Sequence, residues 1–192
     1  MHVVLVHGFL NRGWIMRRLA ARLESEGYVC HAPSLRPCDA RRGLPELAHA
    51  LAEYVEKVVP SAEKFAIVGF SMGAIVSRYY MQELGGAKRV AAFFSVAGPH
   101  RGTRSAYLYP AGIRQLRPKS KFLAALDATV ERLNDMPVVC YWTPYDLMIR
   151  PLSSTRWSRG EHVKIPAWQH SLLVMDSRLH SDIVRRLSRV SA

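Results

Sequence analysis

The sequence predicts an α/β fold with a single doubly wound, mostly parallel sheet of about six strands and helices on both faces. Apolar runs typical of buried strands alternate along the chain with segments whose apolar residues recur at helical spacing. A length of 192 residues suits one α/β domain, and the chain shows no internal repeat, low-complexity tract or interdomain linker. Residues 1–192 are therefore expected to form one domain.

Six segments are predicted to be strands because they are short, apolar and bounded by residues that favour turns. In chain order they are residues 2–6, 28–31, 64–68, 89–97, 137–142 and 162–165. Pro33 and Pro37 follow the second of them and prevent its continuation.

Five segments carry apolar residues at intervals of three and four and are predicted to be helices. They are residues 14–26, 45–59, the segment that follows Ser71 up to residue 84, 120–134, and 170–190. Gly27 ends the first helix, and Ser120 is the expected N-cap of the fourth. Residues 170–190 are expected to form a single basic helix. Between the fourth strand and the fourth helix, residues 98–119 are rich in Gly, Pro and Arg and are expected to form a short loop or cap.

The formal net charge of +12 is the extreme feature of the composition. It favours anionic partners, such as phospholipid surfaces, acidic substrates or nucleic acid. The arginines are scattered rather than gathered beside aromatic residues, which argues against nucleic acid. Two interpretations remain: weak association with an anionic membrane surface, and a basic surface without a dedicated partner. A monomer is favoured.

The sequence contains no membrane-spanning or targeting signal that we can identify. No run of about twenty apolar residues occurs. The first residues read as a buried strand and lack the basic start and small-residue cleavage site of a signal peptide. A cytoplasmic location is expected, unless a leader has been removed.

The three cysteines, Cys30, Cys38 and Cys140, are odd in number and lack metal-ligand spacing. No metal and no cofactor are therefore predicted. Cys30 and Cys140 lie in apolar, strand-like runs, which favours buried free thiols. A Cys30–Cys38 disulfide remains open.

The most informative motif is Gly69-Phe70-Ser71-Met72-Gly73, a G-x-S-x-G pattern. A predicted strand precedes it and a predicted helix follows it, which is the setting in which such a serine becomes a nucleophile. The turn forces Ser71 into a strained backbone conformation. Glycine at positions 69 and 73 removes side chains that would clash where strand and helix come close.

A nucleophilic serine needs a histidine to accept its proton and an acid to orient that histidine, both near the carboxyl ends of strands. Asp146, four residues after the fifth strand, and His170, after the last one, meet this requirement in the chain order Ser, acid, His. Among the competing residues, Asp127, Asp135 and His180 are expected to be exposed to solvent. Asp176 and Asp182 follow His170 and so fall in the wrong order, and His162 starts the last strand, at its amino end and away from the site.

An acyl-transfer site also needs N–H donors for the developing oxyanion. The backbone N–H of Met72 follows the nucleophile at a helix N-terminus. The backbone N–H of Phe9, after the first strand, is the second candidate, because Gly8 allows a sharp turn there. His7 is expected to support this loop by hydrogen bonding rather than to transfer protons.

With these residues in place, the chain resembles the α/β-hydrolases, and in particular the small bacterial lipases and esterases. The resemblance rests on residues 6–9, 69–73, 97–103 and 146–151 and on His170. It implies Ser71 as nucleophile, Asp146 as acid, His170 as base, and Phe9 and Met72 as oxyanion donors. The stretch 99–102 is similar to a Pro-His-x-Gly segment in lipases, which implies that Pro99 helps to shape the floor of the pocket. The chain departs from the family in two respects. It begins directly at the strand before the loop that holds Phe9, so the first two strands of the family are not expected in it, and Leu10 stands where the family often has a second glycine after His-Gly-x.

The expected reaction is the hydrolysis of carboxylic esters through an acyl-enzyme. Because residues 98–119 are too few for a large lid, the site should be open, which favours short or medium acyl chains over lipid droplets. Fold and triad do not fix the leaving group, so thioesterase, acyltransferase and peptidase activities remain open. A non-catalytic binding protein that kept the fold is the alternative from another class.

Overall fold

The computed structural model describes residues 1–109, 111–133 and 136–190. Six strands form one sheet in which every neighbouring pair is parallel, which confirms the predicted fold class. They are β1 (His2–Val6), β2 (Val29–His31), β3 (Phe65–Phe70), β4 (Val90–Val96), β5 (Val138–Trp142) and β6 (Glu161–Lys164).

The strand order β2-β1-β3-β4-β5-β6 reverses direction once. From β1 the chain moves to one edge of the sheet, and it then returns to add β3 and the remaining strands on the other side. The reversal lies between β1 and β3. Ligands of doubly wound sheets bind in the crevice beyond the carboxyl ends of such a pair of strands. Here Phe9 follows β1 and Ser71 follows β3.

The helices cover both faces of the sheet. They are α1 (Arg17–Glu24), α2 (Leu44–Val58), α3 (Met72–Glu83), α4 (Lys121–Ala128), α5 (His170–Leu173) and α6 (Ser177–Val190). Alternate side chains of β1 point to opposite faces, since the side-chain period of a strand is two. Val4 and Val6 pack with residues of α2, α3 and α4, whereas Val3 and Leu5 pack with residues of α1 and α6.

Three predicted helices are interrupted or shorter. A 3₁₀ turn, Gly13–Met16, precedes α1, and another, Val130–Leu133, follows α4; residue 134 lies outside the described residues. The prediction of a single helix over 170–190 is wrong, because the segment forms α5 and α6. The Asp176 carboxylate accepts a hydrogen bond from the Arg178 N–H (2.9 Å), which satisfies a free donor in the first turn of α6 and starts that helix anew.

The Ser120 hydroxyl accepts from the Leu123 N–H (3.2 Å) at the start of α4, as the sequence predicts for an N-cap. All three cysteines are free thiols, with Cys140 buried and Cys30 and Cys38 partly buried. Over the described ranges, none of the helices has both the length and the apolar character needed to cross a bilayer.

Candidate active site

Ser71 occupies a tight turn between the end of β3 and the start of α3. Its backbone has φ 54° and ψ −122°, on the left-handed side that side chains other than glycine rarely adopt. The Ser71 N–H donates to the Val96 carbonyl of β4 (2.8 Å), which anchors the turn to the neighbouring strand. A strained turn from strand to helix is the geometry of a nucleophile elbow, which exposes the serine hydroxyl at the top of the sheet.

Backbone groups press so closely on this turn that two of its positions accept only glycine. A Cβ on Gly73 would lie 2.4 Å from the Val6 carbonyl oxygen and 2.5 Å from that of His7. A Cβ on Gly69 would lie 2.6 Å from the Ala74 Cα. The G-x-S-x-G pattern is thus a consequence of backbone-to-backbone packing between β1, β3 and α3.

Asp146 and His170 meet at the same edge of the sheet. His170, the first residue of α5, lies with Nδ1 at 2.7 Å from Asp146 Oδ2. Asp146 is fully buried, and its other oxygen accepts from the N–H groups of Met148 (2.8 Å) and Ile149 (2.9 Å). These hydrogen bonds from the loop backbone compensate for the solvation that the carboxylate loses on burial, and they orient Oδ2 towards the imidazole.

The loops that carry these two residues are tied together and packed on the serine turn. The Thr143 hydroxyl donates to the Ala167 carbonyl (2.5 Å), which joins the loop after β5 to the loop before α5. The His170 ring packs against the Phe70 ring with their centroids 5.0 Å apart. The imidazole is therefore held on one side by a carboxylate and on the other by the residue that precedes Ser71.

Ser71 and His170 line one cavity of about 450 Å³, here called the His170 cavity. Its other walls include Asn11 and Leu147. In the described part of the chain, no hydrogen bond joins the Ser71 hydroxyl to the His170 ring. Such bonds are often long in free enzymes and shorten when substrate is bound. The arrangement thus places the Ser71 hydroxyl and an imidazole held by a carboxylate on the walls of one cavity.

The two backbone N–H groups that the sequence predicts as oxyanion donors lie in segments next to Ser71. The Met72 N–H belongs to the first turn of α3, where helical N–H groups have no intrahelical acceptor and the helix dipole favours negative charge. Phe9 follows Gly8, and a Cβ on Gly8 would lie 3.1 Å from Ser71 Cβ, so the loop after β1 passes directly beside the serine.

His7 joins that loop to the segment after β2. Its Nδ1 lies 2.8 Å from the Gly8 carbonyl oxygen, and its Nε2 accepts from the Leu35 N–H (2.9 Å). These roles require a neutral imidazole with the proton on Nδ1. Burial lowers the pKa of His7, which favours this neutral form. The ring is fully engaged in holding the backbone.

A second, smaller cavity of about 40 Å³ opens from Ser71 beneath residues 98–119. Its lining is mainly apolar, and we call it the apolar cavity. The segment above it forms two 3₁₀ turns, Arg104–Tyr107 and Ala111–Leu116. The lining residues are Phe9, Ser71, Met72, Pro99, Thr103, Ser105, Ala106, Tyr109, Ile113, Leu116, Met148 and Ile149.

A buried stack behind the site is absent from the sequence predictions. The Arg78 guanidinium lies 4.0 Å from the centre of the Trp157 ring, and the His100 ring stacks on the same indole at 4.6 Å. His100 Nε2 also lies 2.7 Å from the Ser95 hydroxyl. Burial, and secondarily the positive charge of Arg78, lowers the pKa of His100 well below its usual range. The only available signal was His100 within the Pro-His-x-Gly stretch.

Several competing residues have other roles. Asp127 is exposed, as the sequence predicts, and its carboxylate also pairs with the buried Arg78 guanidinium at 3.0 Å. His180 is buried rather than exposed, with Nε2 at 2.8 Å from the Val174 carbonyl oxygen. Asp176 pairs with an arginine, as does Asp182. His162 lies on β6 and bonds to the Trp157 carbonyl (2.8 Å), and residue 135 lies outside the described residues. Within the described ranges, no group of three His, Cys, Asp or Glu could hold a metal ion.

The sequence matches the model of the alpha/beta hydrolase family over residues 3–169. No curated protein sequence matches the chain.

Solved structures with the same fold include a mature-form lipase of Bacillus licheniformis, with 15% identity and a TM-score of 0.76 over 96% of this chain and 90% of that one. A pyrethroid hydrolase of Sphingobium faniae has 17% identity and a TM-score of 0.67 over 96% of each chain. Polyneuridine aldehyde esterase has 18% identity and a TM-score of 0.69 over 97% of this chain and 98% of that one. At these identities the likeness concerns the fold alone.

Proposed function

Because the chain belongs to the α/β hydrolase family, we propose that it is a serine hydrolase that cleaves carboxylic esters through an acyl-enzyme on Ser71. The observation that carries the proposal is the 2.7 Å hydrogen bond between buried Asp146 and His170, at the cavity that Ser71 also lines. An acid–imidazole pair beside a strained serine is the arrangement that activates a hydroxyl for acyl transfer.

In the proposed mechanism, Ser71 Oγ attacks the ester carbonyl carbon while His170 Nε2 accepts the hydroxyl proton. Asp146 Oδ2 accepts from Nδ1–H, which fixes the tautomer and stabilises the imidazolium that forms. The Met72 and Phe9 N–H groups donate to the oxyanion of the tetrahedral intermediate. Collapse breaks the ester C–O bond, and His170 returns the proton to the departing alcohol. Water then repeats the sequence on the acyl-enzyme and frees the acid.

The two cavities suggest where the two parts of the ester lie. The apolar cavity, with Pro99, Tyr109 and Ile113 in its walls, suits an acyl chain and is small. The alcohol leaves beside His170, which must deliver its proton, and so occupies the His170 cavity. A small acyl site favours short or medium chains. A lipase and an esterase among the structural relatives agree with this reaction class.

A fluorophosphonate probe tests the nucleophile. The wild-type protein should be labelled, and the Ser71→Ala variant should not. Ser171→Ala is a matched control, because Ser171 lines the same cavity and should not affect labelling. Folded wild-type protein that resists the probe would instead favour a non-catalytic binding protein with this fold.

A series of p-nitrophenyl esters from acetate to palmitate tests the substrate class. We expect kcat/KM to be highest for short or medium chains and to fall steeply beyond them, because the apolar cavity is small. The matching acyl thioesters, measured in parallel, separate an esterase from a thioesterase. A maximum at palmitate would contradict the assignment of the apolar cavity to a short acyl chain.

A further inference from the structure

A third cavity, of about 330 Å³, lies beside the segment that joins β2 to α2. We call it the arginine cavity, because four of its eight lining residues are arginines. The eight lining residues are Arg12, Leu35, Arg36, Pro37, Cys38, Asp39, Arg41 and Arg42. Its volume falls within the range of small-molecule sites.

The positive charge of this cavity is largely uncompensated. Asp39 is the only carboxylate in its lining and lies 3.8 Å from Arg41. Arg42 lies 3.6 Å from Glu46 on the exposed surface of α2, and exposed pairs of this kind are weak. Arg12 and Arg36 are exposed and have no carboxylate partner among the described residues. Guanidinium groups bind phosphate in a bidentate manner, so the cavity suits a phosphate group.

Hydrogen bonds join the wall of this cavity to the loop that holds the proposed oxyanion donor. The Leu10 N–H donates to the Cys38 carbonyl (2.9 Å), and the Gly13 N–H donates to the Ser34 hydroxyl (3.1 Å). His7 contributes the third link, through the Leu35 N–H. The two segments therefore form one rigid wall beside the serine.

The arginine cavity adjoins the leaving-group side of the proposed site. Asn11 lines the His170 cavity, and the next residue, Arg12, lines the arginine cavity. Phe9 and Arg12 are three residues apart, a separation of at most about 10 Å for an extended chain. The apolar cavity shares Phe9 with the His170 cavity, but its lining includes neither Asn11 nor Arg12, and it lies beneath residues 98–119. A charged group in the arginine cavity would therefore belong to the alcohol part of an ester.

On this basis, and resting on the proposed ester hydrolysis, we propose that the arginine cavity is a phosphate subsite and that preferred substrates are esters whose alcohol portion carries a phosphate monoester. Such a group has nearly two negative charges at neutral pH. Arg12 and Arg36 bind it, and Arg41 and Arg42 add to the local positive field. The phosphate positions the scissile carbonyl next to Ser71 and is not itself cleaved.

The test compares kcat/KM for two substrates that differ only in the phosphate, monobutyryl glycerol and monobutyryl glycerol 3-phosphate. The wild-type enzyme should favour the phosphorylated ester about tenfold at low ionic strength, the effect of one or two charged hydrogen bonds. The preference should shrink as salt is added, because the arginines are exposed. In the double variant Arg12→Gln/Arg36→Gln, the ratio of the two kcat/KM values should fall to near one.

Arg189→Gln is the matched control, because Arg189 is an exposed arginine on α6 and its loss should leave the ratio unchanged. Equal kcat/KM values for the two esters in the wild-type enzyme would overturn the subsite, as would a preference that survives in the double variant. If the proposed ester hydrolysis itself were wrong, neither ester would be hydrolysed, which distinguishes that outcome from loss of the phosphate preference.

A binding experiment makes the subsite testable without turnover. Glycerol 3-phosphate, titrated calorimetrically into Ser71→Ala protein, should release or absorb heat with a Kd that rises at least about tenfold when Arg12 and Arg36 are also replaced. Sedimentation with phosphatidate vesicles, against phosphatidylcholine vesicles, identifies the source of the phosphate. Binding of glycerol 3-phosphate assigns a soluble substrate, and binding of phosphatidate alone assigns a lipid. Binding of neither would overturn the proposal.

Discussion

The turn that carries Ser71 and the loops that carry Asp146 and His170 are held in place by different kinds of interaction. Around Ser71, backbone packs on backbone, and glycine at 73 is required by carbonyl oxygens that a Cβ would approach to 2.4 Å. Around Asp146, by contrast, side-chain oxygens accept hydrogen bonds from the N–H groups of Met148 and Ile149 and from His170.

This difference separates the two ways in which a substitution can damage the proposed site. Packing between backbones cannot relax without moving β1 against α3, so an added atom there costs stability and geometry together. A hydrogen-bonded carboxylate can be replaced by a group of the same shape that keeps the fold but loses the chemistry. The serine turn is thus a feature of the fold, and the Asp146–His170 pair is a feature of the proposed reaction.

The largest effect should follow from Asp146→Asn. The amide oxygen can still accept from the Met148 and Ile149 N–H groups, so the free energy of unfolding should change by no more than about 1.5 kcal/mol. The amide NH₂, however, would face His170 Nδ1 as a donor and favour the wrong tautomer. We expect kcat for p-nitrophenyl butyrate to fall about 10⁴-fold, or about 5.5 kcal/mol of activation free energy.

Asp182→Asn is the control for that variant, because Asp182 also accepts side-chain hydrogen bonds but lies on α6, bonded to Tyr141. Its kcat should match the wild-type value. If Asp146→Asn instead unfolded the protein, the contrast between the two regions would be incorrect, and Asp146 would be as essential to the fold as the glycines are.

Backbone packing also explains which parts of the site could be predicted from the sequence. Where only glycine fits, as at positions 69 and 73, the constraint leaves a pattern that can be recognised. Strand ends locate further candidates, because the carboxyl ends of parallel strands meet at one edge. The contact between Asp146 and His170 follows from this rule and from chain order. The six parallel strands follow from the alternation of apolar runs and amphipathic segments.

Features assembled from distant segments left no such pattern. Arg78, Trp157 and His100 form one stack, but local periodicity cannot place a guanidinium on an indole almost eighty residues away. The polar residues that flank His180 predict an exposed side chain, yet a carbonyl freed by the break between α5 and α6 accepts its ring N–H. The arginine cavity likewise depends on an irregular segment whose path only long-range hydrogen bonds determine.

A smaller but still substantial effect should follow from Gly73→Ala. The added methyl group would overlap the carbonyl oxygens of Val6, the last residue of β1, and of His7 in the loop that follows it. We expect the free energy of unfolding to fall by about 3 kcal/mol or more in urea titrations.

Gly27→Ala is the control. Its φ of +86° is strained for an alanine, but no atom lies within 4 Å of the added Cβ. It should cost only about 1–2 kcal/mol. Equal losses would contradict the overlap, because Gly73, unlike Gly27, has no positive φ that would add strain of its own.

The smallest effect concerns pH and the buried histidines that support the two regions, His7 beside the serine turn and His100 behind it. Burial lowers the pKa of each below the ordinary value of 6.5, so these histidines bind a proton less readily in the folded protein than in the unfolded chain. The unfolded state therefore binds more protons as the pH falls below about 6.5, and stability decreases by up to about 1.4 kcal/mol per pH unit for each histidine. Urea titrations between about pH 7 and pH 5 should show this decline.

The His100→Gln variant should be less stable at neutral pH, but its free energy of unfolding should decline less steeply with falling pH, by up to about 1.4 kcal/mol per pH unit. His49→Gln is the control, because His49 is exposed. An unchanged slope in His100→Gln would mean that His100 takes up its proton equally in both states, which its burial against Trp157 and Arg78 argues against.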